Sequence, residues 1–281
     1  MSQLFLGLDP DISLFPSPYI NASNIDVQAW GEDVIQACLG KIRGVKFQSA
    51  YFENMGLKGL SALSQLIKFS RDLGLITIMD AKRGDIGSTS KAYAEAYLSN
   101  TNAIGNDDFS CDYLTVNPLM GEDCLDPFVE IALKHKKGLF ILLETSNPGA
   151  SMILKQSMND AQQVNMKIAD YISSILGSLD LLNGDMGPIG VVIGATNSNI
   201  DHWREKLPHS IFLMPGIGAQ GGEWDTIRAG LNSKGEGVWV PISRGITQVK
   251  KEVSNKSAYI DEVKHNIRHH YDAMQKTLQL S

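Results

Sequence analysis

A chain of 281 residues with 43% hydrophobic and 20% charged residues can bury a sizeable core and has an ordinary globular composition. Its formal net charge of −6 argues against a nucleic-acid surface, which is normally basic, but leaves room for a small anion held by a few local cations. Cys38, Cys111 and Cys124 are too few and too irregularly spaced for a disulfide framework or a zinc site, and their odd number points to a reducing compartment.

The N-terminus, Met-Ser-Gln-Leu-Phe-Leu, has no basic region and no sustained apolar run, so it does not read as a signal peptide. No segment approaches the roughly 18 apolar residues of a membrane span. A soluble, cytoplasmic protein is expected. Short apolar or β-branched runs recur at 4–8, 44–48, 75–79, 113–117, 139–144, 189–195, 211–214 and 237–242. Several lack alternation, as parallel strands covered on both faces do. Amphipathic stretches predict helices at 29–39, 57–73, 88–99, 123–135 and 161–176, shorter ones at 201–206 and 223–229, and a closing helix, or two, over 254–280. Eight β units each followed by α predict one α/β domain over 1–281, a (β/α)8 TIM barrel. A doubly wound open sheet is the alternative. The longest loops fall at 100–112 and 177–188, and no linker, low-complexity tract or repeat divides the chain.

In such a barrel, chemistry sits at the C-terminal ends of the strands, and polar residues collect there. The first strand ends in Asp9, which either holds a sugar hydroxyl or caps the following turn. The second carries Lys46; buried inside, it needs a carboxylate, and Asp80 is the natural partner. The alternative is an outward lysine stem lying over a helix. The third strand runs into Asp80-Ala-Lys82-Arg-Gly-Asp85-Ile-Gly-Ser-Thr89. Extended backbone points Asp80 and Lys82 the same way, and Gly84 is expected to let the chain turn so that Asp85 passes beyond the strand end. The cluster is either a solvated ion-pair turn or a catalyst that holds opposite charges side by side.

The fifth strand leads into Glu144-Thr-Ser146-Asn-Pro-Gly. Ser146 either bonds a substrate or shapes the turn, and no histidine is placed to make it a nucleophile. After the seventh, Pro215-Gly-Ile-Gly-Ala-Gln220-Gly-Gly is either an ordinary turn or a loop whose amides approach a phosphate. The eighth ends in Ser243-Arg244-Gly245. Loops after strands seven and eight form the usual phosphate site of this fold, and arginine offers phosphate a two-pronged donor. His265, His269 and His270 read as surface residues of the last helix. A Walker phosphate-binding motif does not occur.

The motif from Asp80 to Thr89, Ser-Asn-Pro-Gly-Ala and Pro-Gly-Ile-Gly-Ala-Gln-Gly-Gly, in this order, resemble the orotidine 5′-phosphate decarboxylase family of UMP biosynthesis, in its longer bacterial subgroup. The resemblance runs from Asp9 to Arg244. It implies a charged tetrad of Lys46, Asp80, Lys82 and Asp85, with Lys82 as proton donor to the pyrimidine carbon that loses carbon dioxide. Asp80 would lie against the departing carboxylate, and Lys46 would orient Asp80 and contact the ribose. Asp9 would bind a ribose hydroxyl, Ser146 and Gln220 the pyrimidine, and Gln220 and Arg244 the phosphate. Asp85, Ile86 and Thr89 would reach the other subunit's site, which implies a homodimer. The family uses no metal and no organic cofactor. One departure is Val-Asn-Pro-Leu-Met-Gly after the fourth strand, where shorter members often carry a histidine. Two rivals are a magnesium-dependent sugar-phosphate decarboxylase or aldolase of a related barrel, whose acidic metal ligand would stand where Lys46 does, and a catalytically silent nucleotide-binding barrel.

Overall fold

Strands that are apolar on both faces must be covered on both, and the computed structural model meets that demand by closing them into a ring. It describes the chain except for residues 1, 22–23, 101–104, 106, 159, 198, 218–221, 250–252, 254 and 280–281. The ring strands are β1 (Leu4–Leu8), β2 (Gly44–Gln48), β3 (Ile76–Arg83), β4 (Tyr113–Val116), β5 (Gly138–Glu144), β6 (Ile189–Ile193), β7 (Phe212–Leu213) and β8 (Val238–Ile242). Neighbouring strands are parallel, and β1 pairs with both β2 and β8, which excludes the open-sheet alternative.

Around the ring lie α1 (Val27–Cys38), α2 (Ser49–Glu53), α3 (Gly56–Asp72), α4 (Gly87–Leu98), α5 (Glu122–His135), α6 (Val164–Gly177), α7 (Ile200–Lys206), α8 (Trp224–Ala229), α9 (Arg244–Thr247) and α10 (Lys256–Gln279). Among the described residues no helix is long and apolar enough to cross a membrane. The strands expected at 4–8 and 44–48 are found with those bounds. Three differences have physical causes. β3 continues through the charged motif to Arg83 rather than stopping at Met79, because the β4 backbone still pairs with it there. α6 starts at Val164, not 161, because Ala161 has φ +64° and cannot continue a right-handed helix. The closing segment is one helix, α10. The sequence reading placed nothing between residues 9 and 28, where two 3-10 turns and a short antiparallel pair, Ile20–Asn21 with Asn24–Ile25, cover the β1–α1 connection.

Two apolar cores result. The outer one joins strand residues such as Leu4, Leu6 and Leu8 to Val34 and Ile35 of α1, Leu66 and Ile67 of α3 and Ile267 of α10. The inner one fills the lower barrel with Phe5, Ile78, Phe140, Val192, Ile211, Leu213 and Trp239. Phe5 stacks on Trp239 at 4.7 Å, and Tyr113 meets Trp239 edge-on at 4.8 Å. Gly44 is required here, since a Cβ would lie 2.5 Å from the Phe5 ring. Burial of each large side chain contributes on the order of 2–3 kcal/mol. This aromatic floor fixes which phase of each strand faces inward. Counting upward by twos from Phe5, Gly44, Ile78 and Tyr113 reaches Asp9, then Lys46 and Gln48, then Asp80 and Lys82, then Thr115.

Candidate active site

Above the floor lies a cavity of about 460 Å³, lined by Asp9, Lys46, Gln48, Asp80 and Lys82 on one side and by Ser146, Gly216, Ser243 and Arg244 on the other. Lys46 is inside the barrel: its side chain is 6% exposed, and Nζ donates to Asp80 Oδ2 at 2.8 Å. The outward-stem alternative is thereby excluded. Asp80 also accepts from Gln48 Nε2 at 3.1 Å on Oδ2, and on Oδ1 from Lys82 Nζ at 2.6 Å and from the Thr115 hydroxyl at 3.0 Å. Two donors meet each oxygen. Burial alone would push the Asp80 carboxyl up, but Lys46 and Lys82 outweigh it and hold it well below the usual carboxylate range. Burial likewise works to lower the Lys46 ammonium, yet Asp80 and Asp9 raise it above its ordinary value. The site thus keeps its charges.

Lys82 differs from Lys46 in exposure, at 42% of its side chain against 6%. An ammonium has three protons, and the bond to Asp80 uses one. Its backbone is left-handed, with φ +48°, at a cost of roughly 1–2 kcal/mol for a residue with a Cβ. Gly84 was expected to make this turn. Within the motif the residues with positive φ are instead Lys82 and Gly87, while Gly84 packs against Asn117 just beyond β4, where a Cβ would lie 3.0 Å from the Asn117 carbonyl oxygen.

Asp9 Oδ1 is buried and has no hydrogen-bond partner among the described residues; Lys46 Nζ is 3.8 Å away. The capping alternative for Asp9 falls to Asp11, whose side chain accepts from Ser13 N. An orphaned acceptor at a cavity wall suits a ligand hydroxyl. Arg244 opens α9 directly after β8, exposed at the cavity rim beside Gly216 and Ser243. Gly7 lets β8 end this close, since a Cβ there would lie 2.0 Å from Ser243 Oγ. Gln220 lies outside the described residues.

Ser146 reaches the cavity from the β5 loop, its Cα pressed against Gly194, where a Cβ would be 2.6 Å from Ser146 Cβ. Glu144 anchors this loop from behind. It accepts from Trp203 Nε1 of α7 at 2.7 Å and pairs with Lys155 at 2.8 Å. Burial would raise its carboxyl, but bonds from Lys155, Asn197 and Trp203 bring it below the ordinary value.

Asp85, Ile86 and Thr89 do not line this cavity. Asp85 Oδ1 accepts from Ile86 N at 2.8 Å, and its carbonyl accepts from Ser90 Oγ. Ile86 is 62% exposed and Thr89 is exposed in the first turn of α4. His265 and His269 are exposed as expected, whereas His270 is half-buried against α9 near Gly245, and burial lowers its pKa. Gln48, Thr115 and Glu144 are partners the sequence reading did not single out. The inward phase of Lys46 pointed to Gln48, and that of Tyr113 to Thr115; no comparable signal marked Glu144.

The model of the orotidine 5′-phosphate decarboxylase / HUMPS family matches residues 2–259. An orotidine 5′-phosphate decarboxylase from Rhodopirellula baltica is 37% identical over 255 residues, 88% of this chain and 83% of that protein. One from Clostridium botulinum (strain Langeland) is 35% identical over 278 residues, 98% of this chain and 94% of that protein. Among solved structures, the putative orotidine 5′-phosphate decarboxylase from Streptomyces avermitilis superposes with a TM-score of 0.83 at 28% identity, covering 99% of this chain and 92% of that one.

Proposed function

Because the chain belongs to the orotidine 5′-phosphate decarboxylase family, we infer that the cavity turns orotidine 5′-phosphate into UMP and carbon dioxide with the chain's own charges. The observation that carries this reading is the buried array Lys46–Asp80–Lys82, in which one carboxylate is saturated by donors while Lys82 retains protons on the cavity side.

Arg244 at the rim holds the phosphate, and Gln220 is assigned to the same group. Asp9 and Lys46 take the ribose, and Ser146 the pyrimidine. This places the substrate carboxylate beside Asp80. The bond from ring carbon to carboxylate breaks, carbon dioxide leaves, and the electron pair stays on the carbon. The Lys82 ammonium stabilises that charge and transfers a proton to it; the amine then regains a proton from water. Fixed charge in a water-poor site is worth far more than in bulk solvent. An acceleration at the upper end of enzymes asks for about 20 kcal/mol, more than one lysine supplies, so binding energy of the remote phosphate is used to organise the array. The scheme draws on no metal or organic cofactor. A metal-dependent rival is disfavoured because the Asp80 carboxylate already faces two ammonium groups.

We assign Asp85, Ile86 and Thr89 to the site of a second subunit, in a homodimer. Supporting this, they lie beyond the β3 end and outside their own cavity, and Ile86, Leu119 and Met120 are exposed on the adjoining ends of β3 and β4. The chain is read as one domain, since β1 near its start pairs with β8 near its end. The Asp80–Thr89 motif supports membership of the longer bacterial subgroup, and three buried free cysteines suit a cytoplasmic enzyme.

The test is the absorbance of orotidine 5′-phosphate mixed with purified protein and a chelator. Loss of the substrate signal with stoichiometric UMP is expected. Unchanged substrate overturns the reading, and activity restored only by magnesium favours the metal-dependent rival.

A further inference from the structure

β3 spans four residue steps, Met79 to Arg83, where β4 spans two, Leu114 to Val116. The regular ladder is broken over that stretch, and it contains both Asp80 and Lys82. The β4 residue facing the break is Thr115, which is fully buried. Its hydroxyl oxygen accepts from the Lys82 backbone N–H at 2.9 Å, taking the place of the missing ladder bond. The single hydroxyl proton has two acceptors in reach: Asp80 Oδ1 at 3.0 Å and the Met79 carbonyl at 3.5 Å. The nearer and charged one wins. One hydroxyl therefore holds the left-handed backbone of Lys82 and the carboxylate against which its ammonium rests.

We propose that Thr115 is a positioning residue that sets Lys82 and Asp80 relative to one another for proton delivery. The proposal rests on the decarboxylase reading above. Thr115 has no contact with substrate in this scheme; it acts only through the two groups it binds. An apolar side chain of the same shape would deprive the part-buried Lys82 N–H of its acceptor and withdraw one donor from Asp80. Lys82 would then sample other backbone arrangements, and the fraction of encounters in which its ammonium meets the carbanion would fall.

The experiment compares wild type, Thr115→Val, Thr115→Ala and Thr115→Ser in turnover of orotidine 5′-phosphate and in UMP binding. Ala and Ser lack the same methyl group and differ only in the hydroxyl, so their comparison holds even where Val packs poorly. Expected is a fall in kcat of about ten- to a hundredfold for Val and Ala, the loss of one buried and one part-buried hydrogen bond, with KM and UMP affinity within about twofold of wild type. Ser should recover kcat to within about threefold. Equal kcat for Ala and Ser, or KM rising in step with the fall in kcat, overturns the proposal. A wild-type protein that leaves the substrate unchanged overturns the decarboxylase reading and this inference with it, whereas an active wild type with equal Ala and Ser variants overturns the inference alone.

Discussion

Lys46 reaches Asp80 diagonally. The register pairs Lys46 with Ile78, and Gln48 with Asp80, so the 2.8 Å ion pair spans two residues along the strands while Gln48 closes on the same carboxylate from directly opposite. The carboxylate is thus fixed by two strands before any ligand arrives.

That arrangement makes the two halves of the pair unequal. Among the described residues Asp80→Ala leaves buried Lys46 with Asp9, at 3.8 Å, as its one carboxylate partner, whereas Lys46→Met leaves Asp80 with Lys82, Gln48 and Thr115. Asp80→Ala should therefore cost about 3 kcal/mol of stability, and Lys46→Met less, as read from urea unfolding midpoints. The reverse order would show that Asp80 is not the chief compensator of Lys46.

Lys82→Ala should lower kcat by at least about 10⁴-fold, since it removes both the charge beside the carbanion and the proton source. UMP binding, followed by calorimetry, should remain measurable. Near-normal decarboxylation would refute the proton-donor role.

Arg244→Ala should weaken UMP binding by about ten- to a hundredfold and uridine binding by less than about twofold. Equal loss for both ligands would mean that Arg244 is not the phosphate grip.

Sharing of sites between subunits has its own test. Asp85→Ala and Lys82→Ala proteins, each nearly inactive, should regain activity when unfolded together and refolded as mixed dimers, because one of the two sites then has both residues intact. Verified mixed dimers without recovery count against the exchange.

Stability should depend on pH in a way set by Asp80 and Lys46. The folded Asp80 pKa is depressed, so its contribution is present above the unfolded value, about 3.9, and is lost as pH falls through the folded value. The folded Lys46 pKa is raised, so its contribution is present below the unfolded value, about 10.4, and is lost as pH rises through the folded value. Urea midpoints should show these losses below about pH 4 and above about pH 10, and Asp80→Asn should reduce the acid limb. An acid limb of undiminished size in that variant would assign it to other carboxylates.

The barrel was legible because its strands are uninterrupted apolar runs, as in Leu-Phe-Leu-Gly-Leu of β1 and Gly-Val-Lys-Phe-Gln of β2. The lone lysine of β2 and the dense charge at the end of β3 stand out against that background, so Lys46, Asp80 and Lys82 could be named from sequence. Thr115 was marked by its inward phase alone: a buried threonine is an ordinary β-former, and the interrupted pairing beside it is what gives its hydroxyl a task. The left-handed turn at Lys82 was hidden, because glycine is the usual occupant of that conformation and Gly84 and Gly87 both stood nearby. α9 escaped notice because four residues carry too little periodicity to register.

The aromatic floor of Phe5, Trp239, Tyr113 and Phe140 makes the reaction chamber blind at its lower end. Arg244 lines the opposite, rim end, so with the phosphate held there as proposed, carbon dioxide would leave past the sugar and phosphate or after the nucleotide. Traffic, as much as chemistry, is therefore governed at the rim between β7 and β8.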